Sequence, residues 1–154
     1  MSQRDPSERW IDEFMVRVFT EPLSAPLQGP PEERLKAISE ALAQTMTEHP
    51  ALRAYLRLSF LENDLASSKV FNRFAMLVRD LQYEMRGAGS LRDDLDLDWT
   101  PLQLLFLHFG PLLLAPAVEQ IMGVDAFSHD AVHRRSQANQ DLLNRGILRS
   151  RAIT

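Results

Sequence analysis

The stretch Trp99–Gly123, WTPLQLLFLHFGPLLLAPAVEQIMG, constrains this chain more than any other. From Leu102 to Leu114 only Gln103, His108, Gly110 and Pro111 interrupt the apolar side chains. A helix that is apolar on nearly every side cannot face water. It must lie at the centre of a domain, cross a membrane, or sit where a core meets a partner subunit. A spanning helix needs about 20 predominantly apolar residues. This run is shorter, holds a Gly-Pro pair and ends in Pro116 and Glu119, so the membrane reading is rejected. The expectation is a central helix covered by its own chain on one side and by a second copy on the other.

Both ends of that helix carry signals. Thr100-Pro101-Leu102-Gln103 reads as N-cap, first-turn proline and capping-box glutamine. Asp93, Asp94, Asp96 and Asp98 place negative charge beside the positive end of the helix dipole. Pro111 lies in the interior, where it removes a backbone hydrogen bond and clashes with the carbonyl four residues back. A kink is therefore expected around Gly110 and Pro111, with a short continuation over Ala117–Met122 and a left-handed stop at Gly123.

The remainder reads as further helices. Pro6 or Ser7 opens one to about Thr20, with Trp10, Ile11, Phe14, Met15 and Val18 on one face. Residues 21–31, with four prolines and a glycine, form a loop. A second helix runs from Pro30 or Pro31 to His49 with Leu35, Ile38, Leu42 and Met46 on one stripe. His49-Pro50 breaks the chain, and Pro50 begins a helix to Phe60 or Leu61. Residues 63–68 are polar and turn-like. Lys69–Arg86 is amphipathic, carrying Val70, Phe71, Phe74, Leu77, Val78, Leu81 and Met85 at helical spacing. Gly87-Ala88-Gly89 stops it, and residues 90–98 form a loop. Ser128 caps a final helix to about Arg145, ended by Gly146. The expectation is an all-α fold of six or seven helices, one unit over residues 7–148, with a loose N-terminus at 1–6 and a tail at 149–154.

At 154 residues the chain can bury a real core. It has no cysteine, which excludes disulfides and thiolate metal sites and leaves the compartment open. A net charge of −4 argues against a free-standing nucleic-acid binder. MSQRDPSERW lacks the apolar segment of a signal peptide, so a cytoplasmic protein is the default.

Three stretches carry a family likeness. Gly89-Ser90-Leu91-Arg92-Asp93-Asp94-Leu95-Asp96 resembles the G-x-L-R-x-D-L-D loop ahead of the eighth helix in TetR/AcrR-type transcriptional regulators. Phe109-Gly110-Pro111-Leu112-Leu113-Leu114-Ala115-Pro116, followed by Met122-Gly123-Val124-Asp125, is similar to that helix and its exit turn. Leu142-Leu143-Asn144-Arg145-Gly146-Ile147 resembles the end of the ninth helix. Together these cover roughly the second half of the chain, and the first half matches in helix order and length. The resemblance implies the regulatory domain of a repressor, dimerising through its last two long helices and binding a small hydrophobic effector among the others. Residues 7–20 would be the connecting fourth helix. The family's DNA-reading helix-turn-helix is not in this sequence, so DNA would be reached only through a domain not present here. The chain is then either an excised regulatory domain or a headless relative, a stand-alone ligand carrier or a mixed-dimer partner of full-length regulators.

Within that frame the dimer interface falls to Leu105, Leu112, Leu113, Val132, Arg135, Ala138 and Leu142, with Pro111 as a hinge that pocket occupancy could work. Pocket candidates are Met46, Tyr55, Phe60, Phe71, Phe74, Tyr83, Phe106, His108 and Phe109, since apolar walls with a few polar groups suit a small molecule. For any single aromatic an ordinary core position is the simpler reading. Tyr55, Tyr83 and His108 stand out because a buried hydroxyl or imidazole needs a partner. A satisfied core histidine is still the favoured reading of His108.

His129-Asp130-Ala131-Val132-His133 has the i, i+4 histidines of a zinc helix. It lacks a third ligand, and Ser128 and Asp130 are explained by capping, so the metalloprotein reading is weak. The basic residues Arg134, Arg135, Arg145, Arg149 and Arg151 read as a solvated helix end favoured by the dipole. No nucleophile motif or phosphate loop points to an enzyme, and nothing calls for a cofactor.

Overall fold

The computed structural model describes residues 6–23 and 29–148. The expected loose segment at 1–6 (Pro6 apart), the middle of the proline-rich loop and the tail at 149–154 with Arg149 and Arg151 lie outside those residues.

The fold is all-α. Its helices are α1 (Pro6–Met15), α2 (Pro31–Glu48), α3 (Pro50–Glu62), α4 (Leu65–Gly87), α5 (Trp99–Leu113), α6 (Ala115–Met122) and α7 (His129–Gly146). After α1 the chain widens into a π-helical turn over Val16–Thr20 and then a 3₁₀ turn over Glu21–Leu23. The wider turn changes the helix register, and the adjacent side chains Val18 and Phe19 are both buried. Trp10, at the outer edge of α1, meets Tyr55 of α3 edge-on at 5.9 Å.

Prolines set the joints of the first half. Pro31 and Pro50 occupy first-turn positions of α2 and α3, where a missing N–H costs nothing. α3 ends on Asn63, which takes the left-handed conformation at φ 52°, one that asparagine tolerates better than most residues. α4 starts four residues earlier than expected. The sequence at 63–68 is polar and looks like a turn, but Asp64 is an N-cap that accepts from Ser67 N–H at 3.0 Å. Ser59 at the end of α3 donates to the same carboxylate. These bonds to the charged form hold the Asp64 carboxyl below the usual carboxylate range, with the Ser59 hydroxyl as the leading cause.

α4 is the hub, packing on α1, α2, α3 and α5. Its stripe of Val70, Phe74, Val78, Leu81 and Met85 is buried. α5 lies across it, and a knot of rings fixes the crossing. Phe109 meets Phe60, Phe74 and Phe71 edge-on at 5.2, 5.7 and 5.8 Å. Phe60 and Phe71 stack on each other at 4.3 Å.

Two expectations about α5 are corrected. Its first turn begins at Trp99, so Thr100 lies inside the helix and is not its cap. Asp96 takes over, accepting from the N–H groups of Asp98 and Trp99 at 2.9 and 3.0 Å. The helix also runs through Gly110 and Pro111 and breaks at Leu114, where α6 departs at 73°. Leu114 N–H still donates to Gly110 O at 2.9 Å, so helical bonding resumes beyond the proline. The break comes where Pro116 would cost a second helical bond. α6 accordingly starts at Ala115, with Pro116 in its first turn, and ends at left-handed Gly123. No single helix is long and apolar enough to cross a membrane, and the bent α5–α6 pair passes such a test only by length and composition.

The loop from Ala88 to Asp98 is tightly held. Leu91 is fully buried, and the Arg86 guanidinium donates to the carbonyls of Arg92 and Leu95, both at 3.2 Å. This loop also fastens the end of α7: Arg92 N–H donates to Ile147 O at 3.1 Å, and its guanidinium donates to Gly146 O at 3.0 Å. α7 begins as expected at Ser128, whose hydroxyl accepts from Ala131 N–H. It packs mainly on α2.

Because Asp64 ties the end of α3 to the start of α4, Asp64→Ala should lower unfolding free energy by about 1 kcal/mol, whereas Asp64→Asn should cost less. Urea denaturation of the variants checks this, and equal stability of Asp64→Ala and the native chain would refute the capping role.

Candidate functional site

α5 and α7 do not close against each other. Between them and α2 lies a cavity of about 280 Å³. Its apolar wall is Leu42, Ala43 and Met46 of α2 with Phe109 and Leu112 of α5 and Phe127 of the α6–α7 connection. The polar wall is supplied by α7, with His133, Arg135, Ser136, Gln137, Asn139 and Gln140, and by His108 and Ser39 opposite. Lys36 and Glu40 sit at one edge and pair with each other at 3.7 Å.

His108 is the polar group of α5 here. Its Nδ1 lies 2.7 Å from Leu104 O and its Nε2 lies 2.8 Å from Ser39 Oγ. A carbonyl only accepts, so Nδ1 carries the proton. Burial pushes the imidazole's pKa down, and the Arg135 charge adds to this against the Leu104 bond. The ring is therefore neutral and offers its Nε2 lone pair to Ser39. That hydroxyl also lies 3.0 Å from Leu35 O. It has one proton for two acceptors.

Arg135 is the second polar feature. Its guanidinium donates to Ala126 O at 2.8 Å and lies 5.3 Å from the centre of the Phe127 ring. Arg53 of α3 covers the same ring at 4.4 Å, so two cations lie against Phe127. Burial lowers the Arg135 pKa. Among the described residues no carboxylate forms an ion pair with it.

The expected pocket residues divide. Met46, His108 and Phe109 line the cavity. Phe60, Phe71 and Phe74 stand behind Phe109 in the ring knot. Tyr55 faces Trp10 elsewhere. Tyr83 and Phe106 point outward, 56% and 65% exposed, because they fall on the sides of α4 and α5 opposite those that meet. The expected interface residues divide as well. Leu105, Leu112 and Val132 are buried within the chain, Arg135 and Leu112 line the cavity, and Leu113 is half-buried. Ala138 and Leu142 remain on the surface. Trp99, Leu102, Phe106 and Leu114 form the outward apolar side of α5 and its end, continued by Ile121 and Met122 of α6, with Ile121 79% exposed.

Ser39, Phe127, Ser136, Asn139 and Gln140 were not singled out in the sequence. The α7 polar side reads as a solvated face, and the sequence singles out only His133 and Arg135 on it, for the histidine pair and for the interface. His133 lines the cavity and His129 is exposed; among the described residues no group of three or more histidines, aspartates or glutamates is placed to hold a metal ion. Pro111 is not at the bend, which lies at Leu114.

No protein-family model, curated protein or solved structure matches this chain.

The neutral state of His108 has a pH consequence. Its folded pKa lies below the unfolded value of about 6.5, so below that pH the unfolded chain binds the extra proton. Stability then rises with pH in this window and falls as the solution is acidified from about 6.5 towards the folded pKa. Urea midpoints taken at several pH values should show a shallower acid loss in His108→Asn than in the native chain. Identical slopes would mean that His108 is not held neutral.

Proposed function

We propose that this chain is a small-molecule-binding regulatory domain of the TetR/AcrR type that works as a homodimer. The observation that carries the reading is the cavity between α2, α5 and α7. It has an apolar wall facing a polar one, and a size just below the roughly 300–1,000 Å³ usual for ligand sites. The motif likeness over residues 89–147 supports the family assignment. The exposed apolar side chains of α5 and α6, Phe106 and Ile121 among them, support self-association, since exposed apolar surface of this kind is a common mark of interaction sites.

In this reading the effector fills the gap that α5 and α7 leave open. A guest that binds the wider spacing better than the narrower one shifts the population towards it. The same two helices contribute Phe106, Ala138 and Leu142 to the surface, so a change in their spacing reaches the contact with the second copy. The dimer surface is then centred on α5 and α6, with α7 at its side, and not on Leu105, Leu112 or Val132. The chain has no catalytic part in this scheme, and contact with DNA belongs to a separate helix-turn-helix.

Two measurements test the reading. A neutral fluorescent naphthylamine should bind at one site per chain, and Ala43→Trp, which fills the cavity, should weaken it by roughly tenfold or more while helical content is retained. Undiminished binding in that variant would remove the cavity as the effector site. In sedimentation the native chain should be a dimer and Phe106→Glu a folded monomer. A native chain that stays monomeric at high concentration would overturn the dimer.

A further inference from the structure

The chemistry of the cavity narrows its guest. An arginine that is partly withdrawn from water loses hydration, and a charge in that position is ordinarily matched by an opposite charge or a full set of hydrogen bonds. Arg135 has neither. Its contacts are Ala126 O and the Phe127 ring, and no carboxylate among the described residues pairs with it. Lys36 and Glu40, the other charged pair at the cavity, are engaged with each other. The lining therefore carries one unbalanced positive charge. Ser136 and Gln140 stand on the same wall as neutral donors, facing an apolar wall of Leu42, Met46, Phe109 and Leu112.

We infer that the cavity takes a compact organic carboxylate, its acid group on Arg135 and its hydrocarbon body against α2 and α5. This rests on the small-molecule reading above and adds the sign of the ligand's charge. The planar guanidinium suits a carboxylate, which it can hold through two parallel bonds. The Ala126 bond takes only part of its five N–H donors, leaving others for the guest. A cationic guest would meet the Arg135 charge without compensation. A neutral guest of the same shape would leave that charge unbalanced. The cavity volume of about 280 Å³ sizes the part of the body it can enclose as a medium-length aliphatic or a single aromatic group.

Calorimetric titration of the full chain with octanoate, octanol and octylamine tests this, with Arg135→Gln, Arg135→Lys, Ser136→Glu and Ala43→Trp as variants. Octanoate should bind at one site per chain, roughly tenfold or more tighter than octanol, with octylamine weakest. Arg135→Gln should erase the preference for octanoate over octanol and leave octanol unchanged, while Arg135→Lys should keep part of it. Ser136→Glu, which supplies a carboxylate from the cavity wall itself, should abolish octanoate binding even if Arg135→Gln does not fold. Equal binding of octanoate and octanol to the native chain would overturn the anion inference and leave the small-molecule reading standing. The same holds if octylamine binds best. Octanoate binding that survives Ala43→Trp would place the acid elsewhere and overturn the inference. Failure of all three ligands together with the naphthylamine would remove both.

Discussion

The structure turns on the seat of Phe109. Its ring touches Phe60, Phe71 and Phe74, side chains of α3 and α4, and that contact fixes the rotation of α5 about its own axis. Edge-to-face arrangements of this kind add to the burial of the rings themselves. Once Phe109 points inward, helical geometry dictates the rest. Leu105 and Leu112 follow it into the core. His108, one position back, turns towards α2 and meets Ser39. Phe106 falls on the far side and faces out. One ring contact therefore decides which side of the apolar run is core, which is cavity wall and which is surface.

The sequence conveyed the framework well where a residue has a single physical meaning. Pro31 and Pro50 suit first helical turns, Ser128 caps α7, and the α4 stripe keeps helical period over about four turns. It conveyed less where two readings share a composition. Residues 63–68 look like a turn because Asp64 and Ser67 suit turns and helix starts equally; the hydrogen bond from Ser67 decides between them. Thr100 looks like a cap, yet the helix starts one residue before it and the carboxylate of Asp96 receives the N–H groups of Asp98 and Trp99. Pro111 looks like a breaker, yet its ring sits in the last turn of α5 and the break waits for Pro116.

The candidate site was legible on its apolar side and at His108. Met46 and Phe109 lie on hydrophobic stripes, and His108 interrupts one. Ser39, Ser136, Asn139 and Gln140 have nothing in their surroundings to separate them from ordinary surface residues, since the sequence does not show that α7 leans on α2 and leaves α5. Leu112 and Arg135, expected at an interface, line the same cavity. Both lie on the sides of α5 and α7 that face each other, and the space between them is a cavity inside one chain.

α7 is restrained at both ends. At its C-terminus Arg92 grips the carbonyls of Gly146 and Ile147. Near its N-terminus Arg135 holds Ala126, and Phe127 is wedged beneath Arg53. A rod clamped in this way cannot swing like a door; it can only bow. Pressure from within the cavity would displace the middle of α7 furthest, around Ala138, while both ends stay in register with the rest of the fold. Ala138 has a short side chain and lies on the outer surface, so a small outward bulge there would pass directly to whatever rests against it.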